Sequence, residues 1–488
     1  MKERPSIFSG FIWKFLERSG VSVIHFVIQI VLARLLDPEY YGVLSIMLVF
    51  VAIGNLFIES GFYSALVQNK DVTEEDYSSV LWLSLFVAAI MYGLVFLGAP
   101  LIADLYKIPG IEKPLRVLAL MLFPGALNLV LEAKAAREMD FKKIFYGSTA
   151  GALLSGIVGL IIAFLGGGLW ALVVKSLLDV LASCVIMRFL APIKLRFVVN
   201  FKRIKVLFSF GWKLLASSIW STLYEKLSTL IIGKKYNMEA LAHYDRGNQF
   251  PDLIINTVNQ AVNSVMLPAM SAEQEEPEKV KALMRNSIVM SSYLIFPMML
   301  GLAAVGEPLI RLVLTEKWLP CVPFMQLCCL AMVLDPLHSC NLQAVNAMGR
   351  SDLFLKLEVI KTIMDIPFFL IAIFCFETPL AIAAYGTISS WVCLIVNSWP
   401  NKKLINYSGW EQLKDVFPTM MLSLCMFIAV AVVGTFCAKA VLPDMVTLIV
   451  QVAVGIAVYV VASVVFKPYP FRMALEMLKK RHHKDDED

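Results

Sequence analysis

Apolar runs long enough to cross a bilayer alternate with short charged clusters along the whole chain, and several runs carry polar residues on one side only. In the first run, Lys14, Arg18, Ser22, His25 and Gln29 recur at steps of four, four, three and four. Lys213, Ser217, Ser221, Tyr224 and Ser228 repeat those steps about 199 residues later, so each set shares one helix face. The other faces are apolar: Phe11, Phe15, Ile24, Val27 and Ile28 in the first copy, Leu214, Leu215, Ile219 and Leu227 in the second. Lipid cannot satisfy a polar stripe, so such a helix has to turn it to a cavity or to protein.

The pattern predicts an all-α polytopic membrane protein of about fourteen spans, each long enough to cross ~30 Å of hydrocarbon at 1.5 Å per residue. Their expected extents are 11–35, 41–66, 79–103, 115–136, 144–165, 168–190, 207–233, 239–267, 286–313, 322–346, 354–376, 379–399, 417–437 and 443–466. The eighth is the least hydrophobic. Asp245, Gln249, Asp252, Asn256, Asn259 and Asn263 form one stripe along it, and Pro251 is expected to break or kink it.

The duplication reaches beyond the striped helices. Asn55 and Glu59 match Asn256 and Gln260, and Gly98-Ala-Pro-Leu-Ile matches Gly306-Glu-Pro-Leu-Ile. Ala119-Leu-Met-Leu-Phe-Pro matches Ala331-Met-Val-Leu-Asp-Pro, and Asp140 pairs with Asp352. An even number of spans per copy makes the repeats parallel, related by an axis along the membrane normal. The expected organisation is an N-terminal six-helix lobe at 1–195, a C-terminal six-helix lobe at 196–400, an additional helix pair at 401–466 and a basic tail at 467–488. The basic stretch Arg188–Lys205 links the lobes. The tail either lies on the membrane surface or ends in water.

Composition adds little to that picture and excludes several functions. The chain of 488 residues is 59% hydrophobic and only 17% charged. Its net charge of +5 reflects loop sidedness rather than a nucleic-acid surface. Most Lys and Arg fall in loops on the side of the N-terminus, which predicts that both termini are cytoplasmic. The first run is read as an uncleaved span, since its charges would not suit a signal-peptide core. Nine cysteines sit mostly within apolar runs and form no C-x-x-C motif, so they are read as small hydrophobes. No P-loop and no H-E-x-x-H motif occurs, no cofactor is expected, and the short far-side loops leave no room for a catalytic domain.

Charges within spans are the candidate chemistry. Lys14, Arg18, Lys175, Lys213, Lys226, Arg246 and Lys361 would each cost about 2.5–3.5 kcal/mol at the bilayer centre, so most must be paired or hydrated. Lys14 and Lys213 lie near helix ends, where snorkelling is an alternative. Arg18 lies a turn deeper and is the first candidate for an anion ligand. Lys175 and Asp179 are four apart, as are Lys361 and Asp365, and each pair shares a face. Glu225 adjoins Lys226, and Asp245 adjoins Arg246; sequence neighbours point about 100° apart and are expected to need other partners. The binding candidates are Lys14, Arg18, Ser22, His25, Lys213, Ser217, Ser221, Tyr224, Lys226, Arg246, Asn256 and Lys361. Asp179, Glu225, Asp245 and Asp365 are either inter-helix glue or carboxylates that titrate and couple transport to an ion gradient.

The opening Phe11-Ile-Trp-Lys-Phe-Leu-Glu-Arg-Ser-Gly and Ala33-Arg-Leu-Leu-Asp-Pro-Glu-Tyr-Tyr-Gly resemble the polysaccharide transporters of the multidrug/oligosaccharidyl-lipid/polysaccharide exporter superfamily. Glu59-Ser-Gly-Phe, Arg137-Glu-Met-Asp-Phe and Tyr244-Asp-Arg-Gly-Asn-Gln-Phe-Pro extend that resemblance, which is greatest to Wzx-type flippases of the colanic-acid exporter kind. It implies two six-helix lobes around a lumen, alternating access, and a location in the bacterial inner membrane. The cargo it implies is a polyprenyl-diphosphate-linked oligosaccharide bound for surface polysaccharide. It also implies lumen cations on the diphosphate, contact with membrane lipids, and work alongside a polysaccharide polymerase and a chain-length regulator. The first lobe has fewer deep arginines than a peptidoglycan-precursor flippase would need. The competing readings are an ion-coupled drug or metabolite exporter of the same superfamily, a membrane-embedded envelope polymerase or ligase, and a structural scaffold.

Overall fold

A computed structural model describes residues 7–59, 61–69, 71–193, 196–473 and 476. Within its helices the side chains of residues 7–19, 206, 207, 209–211, 213, 214, 260, 261, 263–265 and 351 fall outside that description. Among the described residues the regular structure is helical, and the chain divides into two compact units, Met1–Ala242 and His243–Asp488.

The first unit contains α1 (Ile7–Leu35), α2 (Pro38–Glu59), α3 (Phe62–Gln68), α4 (Glu74–Tyr106), α5 (Glu112–Ala119), α6 (Leu122–Arg137), α7 (Phe141–Phe164), α8 (Leu169–Leu190) and α9 (Phe201–Lys235). Helix α10 (Met238–Ala272) carries the chain into the second unit. There follow α11 (Pro277–Ala304), α12 (Gly306–Val313), a 3-10 turn (Glu316–Cys321), α13 (Val322–Met332), α14 (Asp335–Ala347), α15 (Ser351–Phe374), α16 (Leu380–Leu404), α17 (Gly409–Lys439) and α18 (Asp444–Phe466). Ten described segments are long and apolar enough to cross a membrane, which makes this a multi-pass membrane protein.

Several expected spans carry an interruption in their α-helix, although Pro38–Gln68, Glu112–Arg137 and Glu316–Ala347 each remain one apolar span. The run at 41–66 divides into α2 and α3 at Gly61, whose φ of 72° is one that glycine adopts without a Cβ penalty. The run at 115–136 divides after Ala119 and the run at 322–346 after Met332. Those two breaks fall in the paired motifs Ala119-Leu-Met and Ala331-Met-Val, so the repeated sequence carries a repeated discontinuity. The run at 286–313 also divides, at Val305 between α11 and α12. Conversely, α10 continues through Pro251 and is not broken there. The carbonyl facing the proline ring belongs to Gly247. At Gly247 a Cβ would lie 2.8 Å from Phe324 Cβ and 2.9 Å from the Cys321 carbonyl oxygen. This turn packs closely against α13.

In the first unit α7 lies between α1 and α8. A row of small residues permits it: a Cβ on Gly151 would lie 2.8 Å from the Asp179 carbonyl oxygen, and one on Gly159 2.8 Å from Lys175 Cβ. On another side of α7, a Cβ on Gly156 would strike Ile28 of α1. The linker ahead of α9 and the first turn of α9 are fixed to the start of α4. Arg203 pairs with Asp76 at 2.6 Å, and the Asp76 side chain is only 1% exposed. The Asn200 and Arg196 amides donate to Ser79 and Ser78 at 3.0 and 3.1 Å. Helix α9 accordingly packs with α2, α3 and α4. The boundary between the two compact units falls within α10, between Ala242 and His243.

In the second unit α11 packs against α13, α14 and α17, and α17 against α18. Buried amides tie these helices together. Asn341 donates to Gln412 at 2.7 Å and Gln412 returns a bond at 3.0 Å, while Asn401 donates to Asn341 Oδ1 at 2.7 Å. Tyr459 donates to the Tyr293 carbonyl oxygen, and Tyr293 to Ser463, each at 2.8 Å. The last two helices thus belong to the packing of the second unit.

Candidate functional site

The first unit contains a half-open cavity of about 530 Å³ at the junction of α2, α3, α6, α8 and α9. Its polar lining includes Asn55 and Glu59 from α2, Tyr63 and Ser64 from α3, Asn128 and Glu132 from α6, and Ser218 from α9. The spacing in each of the two amide–acid pairs is four, which puts both members on one face of their helix. Asn55 Oδ1 lies 3.5 Å from where a Cβ on Gly125 would stand, so the missing side chain on α6 leaves room for it. Asn128 Oδ1 is buried and has no hydrogen-bond partner among the described residues. Polar atoms at membrane depth are costly unless they meet water or a ligand, so a lining of this kind is suited to hydroxyl-rich or cationic cargo.

Beside this cavity α1 and α8 bring together three titratable groups. Lys175 Nζ lies 3.6 Å from Asp179 Oδ2, His25 Nε2 lies 3.6 Å from the same oxygen, and Lys175 Nζ lies 3.4 Å from His25 Nδ1. With Lys175 charged, Nδ1 is the acceptor, which assigns the neutral ring's proton to Nε2, facing Asp179. The next residue, Val180, lines the cavity. The sequence placed His25 with the binding stripe and Asp179 with the ion-coupling candidates; the fold puts them in one cluster with Lys175.

Other candidates are dispersed. The side chains of Lys14, Arg18 and Lys213 lie outside the described residues, as does that of Asn263. Ser22 is exposed on α1. On α9, Ser217, Ser221, Tyr224 and Glu225 are exposed, and Ser221 bonds its own helix at Ser218. Lys226 pairs with Glu225 at 2.7 Å, contrary to the expectation for sequence neighbours, because the lysine stem is long enough to curl back. Arg246 is buried against Trp318, its guanidinium 4.9 Å from the ring centroid, and donates to Gln249. Asp245 is half-buried beside it, and Asn256, farther along α10, is exposed. Lys361 pairs with Glu358 at 2.6 Å, and Asp365 accepts from Ser389 of α16. Asn128, Glu132, Tyr63 and Ser64 escaped the sequence reading. The signal for the first two was the Asn-x-x-x-Glu spacing shared with Asn55 and Glu59.

These features define an all-α, multi-pass membrane protein with a polar interior. The family described as polysaccharide biosynthesis protein matches residues 31–323, and the chain belongs to that family. The resemblance to Wzx-type polysaccharide transporters of the multidrug/oligosaccharidyl-lipid/polysaccharide exporter superfamily therefore holds. The chain is 24% identical to the lipopolysaccharide biosynthesis protein WzxC of Escherichia coli (strain K12), over 75% of each chain. It is likewise 24% identical to the teichuronic acid biosynthesis protein TuaB of Bacillus subtilis (strain 168), over 71% of this chain and 72% of that one. Its fold is similar to that of the lipid II flippase MurJ in an inward closed conformation (TM-score 0.74, 14% identity, 94% of this chain and 99% of that one). It is also similar to an inward-facing multidrug resistance MATE family transporter (TM-score 0.60, 16% identity, 79% of this chain and 96% of that one).

Proposed function

We propose that this protein turns a polyprenyl-diphosphate-linked oligosaccharide across the bacterial inner membrane, from the cytoplasmic to the outer leaflet, by alternating access, for surface polysaccharide synthesis. The observation that carries the reading is the cavity of amides, carboxylates and hydroxyls inside the first unit of a chain from the polysaccharide biosynthesis protein family. A glycan offers many hydroxyls, and Asn and Glu side chains present paired donors and acceptors to them. Relatives named for lipopolysaccharide and for teichuronic acid are each 24% identical to this chain while differing in glycan, which suits a fold whose cargo is chosen by a few lining residues.

A diphosphate cannot enter hydrocarbon unpaired. Lys14, Arg18, Lys213 and Lys226 are assigned to that head group, and Asn55, Glu59, Asn128 and Glu132 of the cavity, together with Ser22, Ser217, Ser221, Tyr224 and Asn256, to sugar hydroxyls. Arg246, held on Trp318, and Lys361, paired with Glu358, act through their neighbours. Asp179, with His25, is the first candidate for coupling to an ion gradient; Glu225, Asp245 and Asp365 follow it. Both termini are assigned to the cytoplasm. A polysaccharide polymerase and a chain-length regulator are the expected partners.

The test is to deplete the protein in its host and locate labelled lipid-linked oligosaccharides by leaflet. Accumulation of a complete repeat unit on the cytoplasmic face, with loss of one surface glycan, is expected. Arg18→Ala should reproduce that phenotype while the protein still inserts. Unchanged lipid-linked pools would overturn the reading in favour of a drug or metabolite exporter, and drug sensitivity of the depleted strain would then be the discriminating measurement.

A further inference from the structure

On the surface of the second unit, α16 and the start of α17 form a groove of about 720 Å³. Along α16 it is lined by Trp391, Ile395 and Trp399, four residues apart, and then by Lys402; Trp410 and Leu413 face them from α17. These aromatic and aliphatic side chains are uncovered, Trp399 at 64% and Trp410 at 67% exposure. An apolar slot this size lies within the ~300–1,000 Å³ range of small-molecule sites, whereas a spanning helix of about 10 Å diameter would fill roughly 2,000 Å³.

The walls of the groove are fixed from behind. Asn401 of α16 and Gln412 of α17 are fully buried and both bond to Asn341. At the floor the two helices touch, and a Cβ on Gly409 would lie 2.4 Å from Ser398 Oγ. The turn between them is anchored by Tyr407, which is 1% exposed and donates to Asp415 at 2.8 Å. Such a slot stands preformed, and filling it costs little in ordering the protein.

Charge at its mouth is positive. Lys402 lines the groove, Lys403 follows it, and Lys414 Nζ stands 5.7 Å over the Trp410 ring. The acid nearby, Glu411, is already engaged: it accepts from the Ser408 amide at 2.8 Å and from the Ser408 hydroxyl at 3.0 Å, and lies 3.9 Å from Lys281. Tryptophans at the end of a span beside lysines mark the depth where headgroups meet hydrocarbon. An occupant of this groove therefore has an apolar chain and an anionic head. Rigid walls suit a resident molecule rather than one that must leave in every transport cycle.

We propose that the groove seats one anionic phospholipid, its acyl chain along Trp391, Ile395 and Trp399 and its phosphate at Lys402. The full-length protein is reconstituted into phosphatidylcholine vesicles doped with either phosphatidylglycerol or phosphatidylcholine bearing brominated acyl chains, which quench indole fluorescence on contact. The groove signal is the fluorescence lost in the double variant Trp391→Phe/Trp399→Phe. Brominated phosphatidylglycerol should quench that signal at about fivefold lower mole fraction than brominated phosphatidylcholine, the selectivity expected of one lysine near an anionic head. Lys402→Gln should abolish the difference, and the exposed position makes folding of the variant safe; Lys402→Glu should reverse it. Equal quenching by the two lipids, or a preference that survives Lys402→Gln, would overturn the proposal. Displacement of the brominated phosphatidylglycerol by trace polyprenyl phosphate would overturn it too, since the groove would then be a seat for the carrier. Every readout is lipid occupancy, so the result is independent of whether the protein flips a glycan.

Discussion

Lys175, Asp179 and His25 show what spacing can and cannot deliver at the scale of single residues. The step of four placed Lys175 and Asp179 on one face of α8, and they meet at 3.6 Å. Nothing in the sequence placed His25 beside them, because that contact depends on how α1 crosses α7 and α8. The same reasoning failed for Glu225 and Lys226, where side-chain length outweighs the angle between Cβ vectors. The Lys175–Asp179 pair is largely withdrawn from water, with side chains 11% and 24% exposed. Removing the lysine alone leaves a carboxylate short of its counter-ion. Lys175→Met is expected to destabilise the purified protein by about 2 kcal/mol, below the ~3–5 kcal/mol of a fully buried pair because some water reaches the site. The double variant Lys175→Met/Asp179→Leu should recover most of that loss. Thermal unfolding in detergent checks both; additive losses in the double variant would mean that the two groups do not interact.

Among the helices, hydropathy located the apolar runs, since length and apolarity are what the bilayer selects. Breaks within runs were legible only in part. The discontinuities after Ala119 and Met332 each precede a proline, Pro124 and Pro336, whose missing amide leaves the carbonyls of Leu120 and Met332 without an α-helical partner. At Pro251 the expected break does not occur, and the turn before it, at Gly247, packs closely against α13. Glycine carries the same ambiguity. A Cβ on Gly93 of α4 would meet nothing within 4 Å, whereas a Cβ on Gly151 of α7 would lie 2.8 Å from the Asp179 carbonyl oxygen and 3.1 Å from Ser183 Cβ. Replacing glycine by alanine in a helix gains up to ~1 kcal/mol of propensity, and overpacking costs about 1–3 kcal/mol. Gly93→Ala should therefore be neutral or stabilising. Gly151→Ala should lower the unfolding temperature and loosen the α7–α8 contact that positions Asp179; equal effects of the two would remove close packing as the reason for the small-residue row.

For the molecule as a whole, the family resemblance was readable from sequence, and the chain belongs to the family so indicated. The last two helices have no counterpart in the repeat, and their place in the fold became visible only through contacts. Gln412 is fully buried and exchanges hydrogen bonds with Asn341, so Gln412→Leu should cost about 2 kcal/mol by leaving Asn341 short of partners, measured as a lower unfolding temperature. The cavity of the first unit reverses that logic. Asn128 Oδ1 is buried without a partner among the described residues, so removing this acceptor strands no described donor. An asparagine kept for structure would destabilise the fold when replaced by the similarly sized leucine. One kept for cargo would leave the fold intact and lose a bond to a sugar hydroxyl, a difference of about tenfold in transport. Asn128→Leu is expected to unfold at or above the temperature of the unaltered protein and to accumulate lipid-linked oligosaccharide with about tenfold less surface glycan. Glu132→Gln, which keeps the shape and one acceptor oxygen, should fall between the two. Normal glycan export by Asn128→Leu would retire this cavity as the path of the sugars and leave the α9 stripe to carry them.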